Sequence, residues 1–80
     1  MTKAEYRKCE KLMEEAIRNA NNSNIDYKAY EQLRKEGKEI DAGCKLRASD
    51  QAIGYADGIN QALSMLGFKH DRMKELSDLL

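Results

Sequence analysis

The stretch Ile17-Arg18-Asn19-Ala20-Asn21-Asn22-Ser23-Asn24-Ile25-Asp26 decides how this chain folds. Before it, Tyr6, Cys9, Met13, Ala16, Ile17 and Ala20 recur at helical spacing with Leu12 flanking, the apolar stripe of an amphipathic helix. Asparagine and serine hydrogen-bond to nearby backbone and favour turns and caps over helix interiors. Read locally, Asn21 to Asn24 ends the first helix, and Ser23, Asn24 or Asp26 caps the second. The fold class that follows is an all-α helical hairpin.

Working outward, Thr2 and Glu5 form a T-x-x-E capping box at the start of the first helix, and Glu14 to Arg18 is a favourable i,i+4 pair. In the second helix Tyr30, Leu33, Gly37, Ile40 and Cys44 follow a heptad-like seam, where Gly37 admits a neighbouring backbone. Between Asp41 and Asp50, Gly43 is placed to close a helix, and Ser49 or Asp50 to cap a new one. Near-continuity with a bend is favoured, since the apolar phase carries on through Ala48, Ala52, Tyr55, Ile59, Ala62 and Leu66. Gly67 then ends the helix as a C′ glycine, with Phe68 set for the contact that accompanies such a cap. A short last helix presents Met73, Leu76, Leu79 and Leu80 as an apolar tail. The expectation is one small helical domain over 1–80, with helices at 3–20, at 26–66 (a possible break at 42–49) and at 70–79.

Composition supports the class. Valine, proline and tryptophan are absent, and the β-branched residues are five isoleucines and Thr2, too few for a sheet. Fourteen basic and fourteen acidic residues balance, at +5/−4 over 1–20, +6/−6 over 21–50 and +3/−4 over 51–80. A duplex nucleic-acid binder shows a basic excess or stripe, so that partner is disfavoured. No signal-like apolar opening and no run of 18 apolar residues occurs, so neither a membrane span nor export is expected. Cytoplasm is the expected compartment, with Cys9 and Cys44 as small buried hydrophobes.

Catalysis is not expected. Glu36-x-x-Glu39 lacks the ExxD partner that helical nucleotide pyrophosphatases use to hold magnesium. His70 is the only histidine and has no second nitrogen or sulfur ligand in its segment, so no metal is expected and no cofactor is implied. His70 itself reads as a surface or cap residue. Aromatic and basic residues mix at Tyr27-Lys28-Ala29-Tyr30 with Arg34 one turn on, where a ring can stack on a base and a cation meet a phosphate. Tyr27, Lys28, Arg34, Arg47 and Arg72 are the expected ligand-binding set.

Glycines 37, 43, 54 and 58 together cost about 4 kcal/mol of helix propensity. That is a large share of a small domain's stability. Gly54 and Gly58, one turn apart with Ala62 beyond, bare a strip of backbone suited to close helix packing. With Leu76 and Leu79 they form the expected packing or oligomer interface, and a homo-oligomeric bundle is the expected assembly.

The segment YADGINQALSMLGFKHDRMKEL, through its ADGINQAL and LGF pieces, resembles an ending of small helical accessory proteins of phages and prophages, over about residues 44–76. Proteins of that class often counter host immunity. The resemblance therefore implies two roles: an oligomeric sponge for a cyclic or other nucleotide signal, or a direct inhibitor of a host defence protein. A structural or assembly protein of a phage particle is a third reading, since all three need an oligomeric helical protein.

Overall fold

The computed structural model describes residues 1–80, and its chain is a rod of 52 × 17 × 16 Å. Helix α1 spans Lys3–Lys35, α2 spans Glu39–Met65 and α3 spans Met73–Leu79. The hairpin is present, but its turn is at residues 36–38 and not at 21–25. Helix α1 begins as its capping box dictates: the Glu5 amide donates to Thr2 Oγ1 at 3.1 Å, and that hydroxyl donates to Glu5 Oε1 at 3.0 Å.

Helix α1 runs straight through the asparagine-rich stretch for a tertiary reason. Asn21, Asn22 and Asn24 are exposed, whereas Ser23 is buried against Ser49 of α2. The Ser23 hydroxyl lies 2.9 Å from the Ser49 carbonyl oxygen, the Ser49 hydroxyl 2.9 Å from the Ser23 carbonyl, and the two hydroxyl oxygens 2.9 Å apart. Two hydroxyl protons serve these three contacts, so two are hydrogen bonds at any instant. An asparagine or serine inside a helix costs at most about 0.7 kcal/mol relative to alanine. Packing along a buried seam outweighs that.

Gly37 is the turn residue. It sits at φ +77°, its amide donates to the Arg34 carbonyl at 3.1 Å, and the Lys38 amide donates to Leu33 at 2.9 Å. This is a Schellman ending, and the left-handed conformation is why glycine stands there. The expected seam through Gly37 is thereby corrected: Ile40 is 86% exposed and Cys44 is exposed. The expected phase through Tyr55, Ala62 and Leu66 likewise falls on exposed positions.

The seam lies on another face. In α2 the buried residues Ala42, Ser49, Ala56 and Leu63 follow one another at intervals of seven, as do Cys9, Ala16, Ser23 and half-buried Tyr30 in α1. With Ser23 opposite Ser49, the same spacing sets Ala16 opposite Ala56 and Cys9 opposite Leu63. A strict heptad of this kind is the repeat of a left-handed supercoiled pair. Small side chains at its centre bring the helices close enough for each serine to reach the other's backbone. No break occurs at 42–49.

Helix α2 ends as the sequence predicts. Gly67 has φ +73°, and the Phe68 amide donates to the Leu63 carbonyl at 3.0 Å, with both side chains in the core. The reversal sends the chain back against the N-terminal half of α1. Tyr6 and Phe68 have ring centroids 5.1 Å apart, and Tyr6 Oη donates to the Lys69 carbonyl at 3.4 Å. Leu76 is 0% exposed, and Met73 and Leu79 pack on the same cluster. The expected apolar tail is therefore a lid on the chain's own core. No helix is long and apolar enough to cross a membrane.

Candidate functional site

The ligand-binding set does not converge. Tyr27, Tyr30, Glu31, Arg34 and Lys35 line a shallow, open hollow of about 480 Å³ on the C-terminal half of α1. The Tyr27 and Tyr30 rings are 5.6 Å apart and tilted by 48°, and Arg34 Nη1 donates to Tyr30 Oη at 3.3 Å. Lys28 is exposed and outside that lining. Arg47 projects from the outer side of α2. Arg72 is at the far end of the rod, where its Nε donates to Glu75 Oε2 at 3.1 Å. Its guanidinium is held above the usual range by that hydrogen bond and then by the charge of Glu75.

Two electrostatic facts temper the hollow's pull on an anion. Arg34 and Lys35 occupy the last turn of α1, where cations offset the partial negative charge of the helix end. Glu31 adds a carboxylate to the lining. What remains distinctive is the half-exposed aromatic pair beside two cations.

The packing set divides in two. Leu76 and Leu79 are spent on the chain's own core, because the turn at Gly67 folds α3 back. Gly54, Gly58 and Ala62 are exposed, and a methyl group placed on Gly43, Gly54 or Gly58 meets nothing within 4 Å. No intrachain neighbour uses their missing side chains. On this side of α2, opposite the seam, Ile40, Gly43, Arg47, Gly54, Gly58 and Met65 follow one another at helical spacing. Ile40 and Met65, 86% and 88% exposed, are the two most exposed large apolar residues of the chain.

Several interactions are invisible to local reading. His70 Nδ1 accepts the Arg72 amide at 3.1 Å, which leaves the proton on Nε2 to meet Glu10 Oε2 at 3.0 Å. The ring also stacks on Phe68 at 6.0 Å, so this histidine fastens the turn before α3 to α1. Tyr55 reaches across to α1, donating to Glu15 Oε1 at 2.8 Å, and its phenol is pushed up by that bond and then by the carboxylate's charge. Helical spacing of 42, 49, 56 and 63 against 9, 16, 23 and 30 is the signal that finds the seam and, by difference, the bare face.

Cys9 is buried as expected, but Cys44 is exposed. No three His, Cys, Asp or Glu side chains gather in an arrangement able to hold a metal ion. Among the protein-family models, curated proteins and solved structures compared with the chain, none matches.

Proposed function

We propose that the protein is a non-catalytic, self-associating helical binding protein whose assembly takes up a small anionic ligand of the nucleotide class. The observation that carries this reading is the outer side of α2: three interior glycines without a neighbour, flanked by Ile40 and Met65 almost fully in solvent. Each interior glycine costs roughly 1 kcal/mol relative to alanine, and nothing within the chain makes use of its missing side chain. A second copy makes use of it, because a bare backbone strip lets helices approach closely.

The ligand part of the proposal rests on the Tyr27–Tyr30 pair beside Arg34 and Lys35, which offers stacking and phosphate contacts together. Uptake of a nucleotide fits the sponge role that the phage-type ending implies. A host defence protein, or a component of a phage particle, would not dock through Leu76, which is buried in the chain's own core.

Native mass spectrometry with a panel of cyclic and linear nucleotides tests both parts. The expected result is a discrete oligomer that gains nucleotide mass in simple ratio to its subunits. Gly58→Leu is expected to give a folded monomer, because the chain itself leaves room for the side chain. Tyr27→Ala and Arg34→Ala are expected to keep the oligomer and lose the nucleotide. A monomeric wild type overturns self-association, and an oligomer indifferent to every nucleotide overturns the ligand.

A further inference from the structure

The outer face of α2 carries a charge order as well as a shape. Arg47 and Asp57 are ten residues apart on either side of the helix midpoint, with Asp50 between them, and Arg47 and Asp50 make no ion pair within the chain. Ile40 and Met65 stand near the two ends of the same face. Leu66, next in sequence, is turned towards α1 instead, where it lines a hollow with Met1, Glu5, Lys8, Cys9 and Leu12. The face is thus apolar at its ends and charged about its middle.

We infer that α2 pairs with α2 of a second copy of this chain, antiparallel and two-fold symmetric. Ile40 then lies against the partner's Met65, Cys44 against the partner's Ala62, and Arg47 against the partner's Gly58 with the partner's Asp57 beside it. The inference rests on the self-association just proposed and adds its orientation.

Charge decides between the two orientations. A parallel pair sets Arg47 directly against the partner's Arg47 and carries Asp50 and Asp57 to the far flank, so its closest ionic contact is repulsive. An antiparallel pair places each Arg47 between its own Asp50 and the partner's Asp57. Like charges across an interface are costly, and opposite ones fix its register. Both apolar ends are covered in the same step, and Gly58 leaves room for the arginine stem. One isologous surface contacting itself is the usual form of a two-fold dimer.

Cysteine cross-linking reads the orientation. Wild type offers Cys44 as its exposed thiol, so Ala62→Cys adds the position that antiparallel pairing sets opposite it. On mild oxidation with diamide, Ala62→Cys is expected to form a covalent dimer. Wild type and the Ala62→Cys/Cys44→Ser protein are expected to stay uncoupled. A covalent dimer in either of those proteins, each with one exposed thiol, means a parallel pair and overturns the inference. An oligomer by native mass spectrometry with no covalent dimer from Ala62→Cys also overturns it, while leaving self-association standing. A monomer throughout overturns both. As a second readout, Arg47→Asp is expected to weaken the dimer by about tenfold or more, and adding Asp57→Arg to restore it. Failure of the exchange to restore counts against the antiparallel register.

Discussion

The two sides of α2 both carry small residues, to opposite effect. Its inner side, Ala42, Ser49, Ala56 and Leu63, is buried at every position, and its one pair of polar groups is fully hydrogen-bonded. Its outer side carries Gly43, Gly54 and Gly58 among larger residues, and a methyl group added to any of the three meets nothing. Small residues therefore mark close approach only where a second surface is present to approach. On the inner side that surface is α1, held in place by the turn at Gly37. On the outer side the chain supplies none.

This contrast is broken most severely from the inside. Leu63 and Leu76 are 0% exposed and share one cluster with Met13 and Phe68. Leu63→Ala is expected to destabilise the fold by about 2–5 kcal/mol, the range for truncating a fully buried leucine. Urea unfolding followed by circular dichroism measures it. A loss below about 1 kcal/mol would mean that the seam is not the core.

Paired substitutions sharpen the comparison at intermediate size. Ala56→Leu inserts three carbons into a closed seam, with an expected loss of about 1–3 kcal/mol. Gly54→Ala, two residues away on the outer side, is expected to raise the stability of the single chain by roughly 0.5–1 kcal/mol, because the added methyl meets no atom within 4 Å. The same Gly54→Ala should weaken association. Melting curves at low and high protein concentration separate the two effects: the variant gains at low concentration and loses that advantage at high concentration. A gain that is the same at both concentrations would show that nothing docks at Gly54.

How much of this was legible in sequence depends on the range of the deciding interaction. The Thr2–Glu5 box and the Gly67–Phe68 ending each lie within five residues, and both stand as the sequence predicts. Ser23 was readable only as a turn residue, because its partner Ser49 is 26 residues away. That misplacement moved the turn and, with it, the seam of the second helix. Leu76 likewise read as an exposed tail, since the surface that covers it exists only after the chain reverses at Gly67. The glycine strip was legible as a strip. The outer side's lack of a partner within the chain was not, because that depends on which side of α2 faces α1.

The serine pair gives a smaller effect with a distinctive form. Each hydroxyl can donate to the other residue's backbone carbonyl, so removing one leaves the other still satisfied. Ser23→Ala and Ser49→Ala are each expected to cost about 1 kcal/mol, the net value of one hydrogen bond. The double variant should cost close to the sum, with a coupling below about 0.5 kcal/mol, since the hydroxyl–hydroxyl contact has no proton of its own when both donate to carbonyls. A coupling well above that would place a proton between the two oxygens.

The smallest effect sits where the two sides of α2 meet. Tyr55 is 49% exposed yet spans to Glu15 on α1, and the bond to that carboxylate raises its ionisation above the ordinary value of 10.0. A phenol whose folded-state pKa is raised stabilises the fold fully at pH below the unfolded value, and the contribution is lost as pH rises through the folded one. Stability should thus be insensitive to this pair below about pH 10, and should decline more steeply above it in wild type than in Tyr55→Phe. Glu15→Gln, which removes the charge and keeps an acceptor, is expected to return the Tyr55 titration towards the ordinary range. The absorbance of tyrosinate against pH, compared between Glu15→Gln and wild type, reads the shift of one tyrosine among four. Identical titrations would mean that Tyr55 does not hold Glu15 in solution. The border of the seam would then be as free as the outer face.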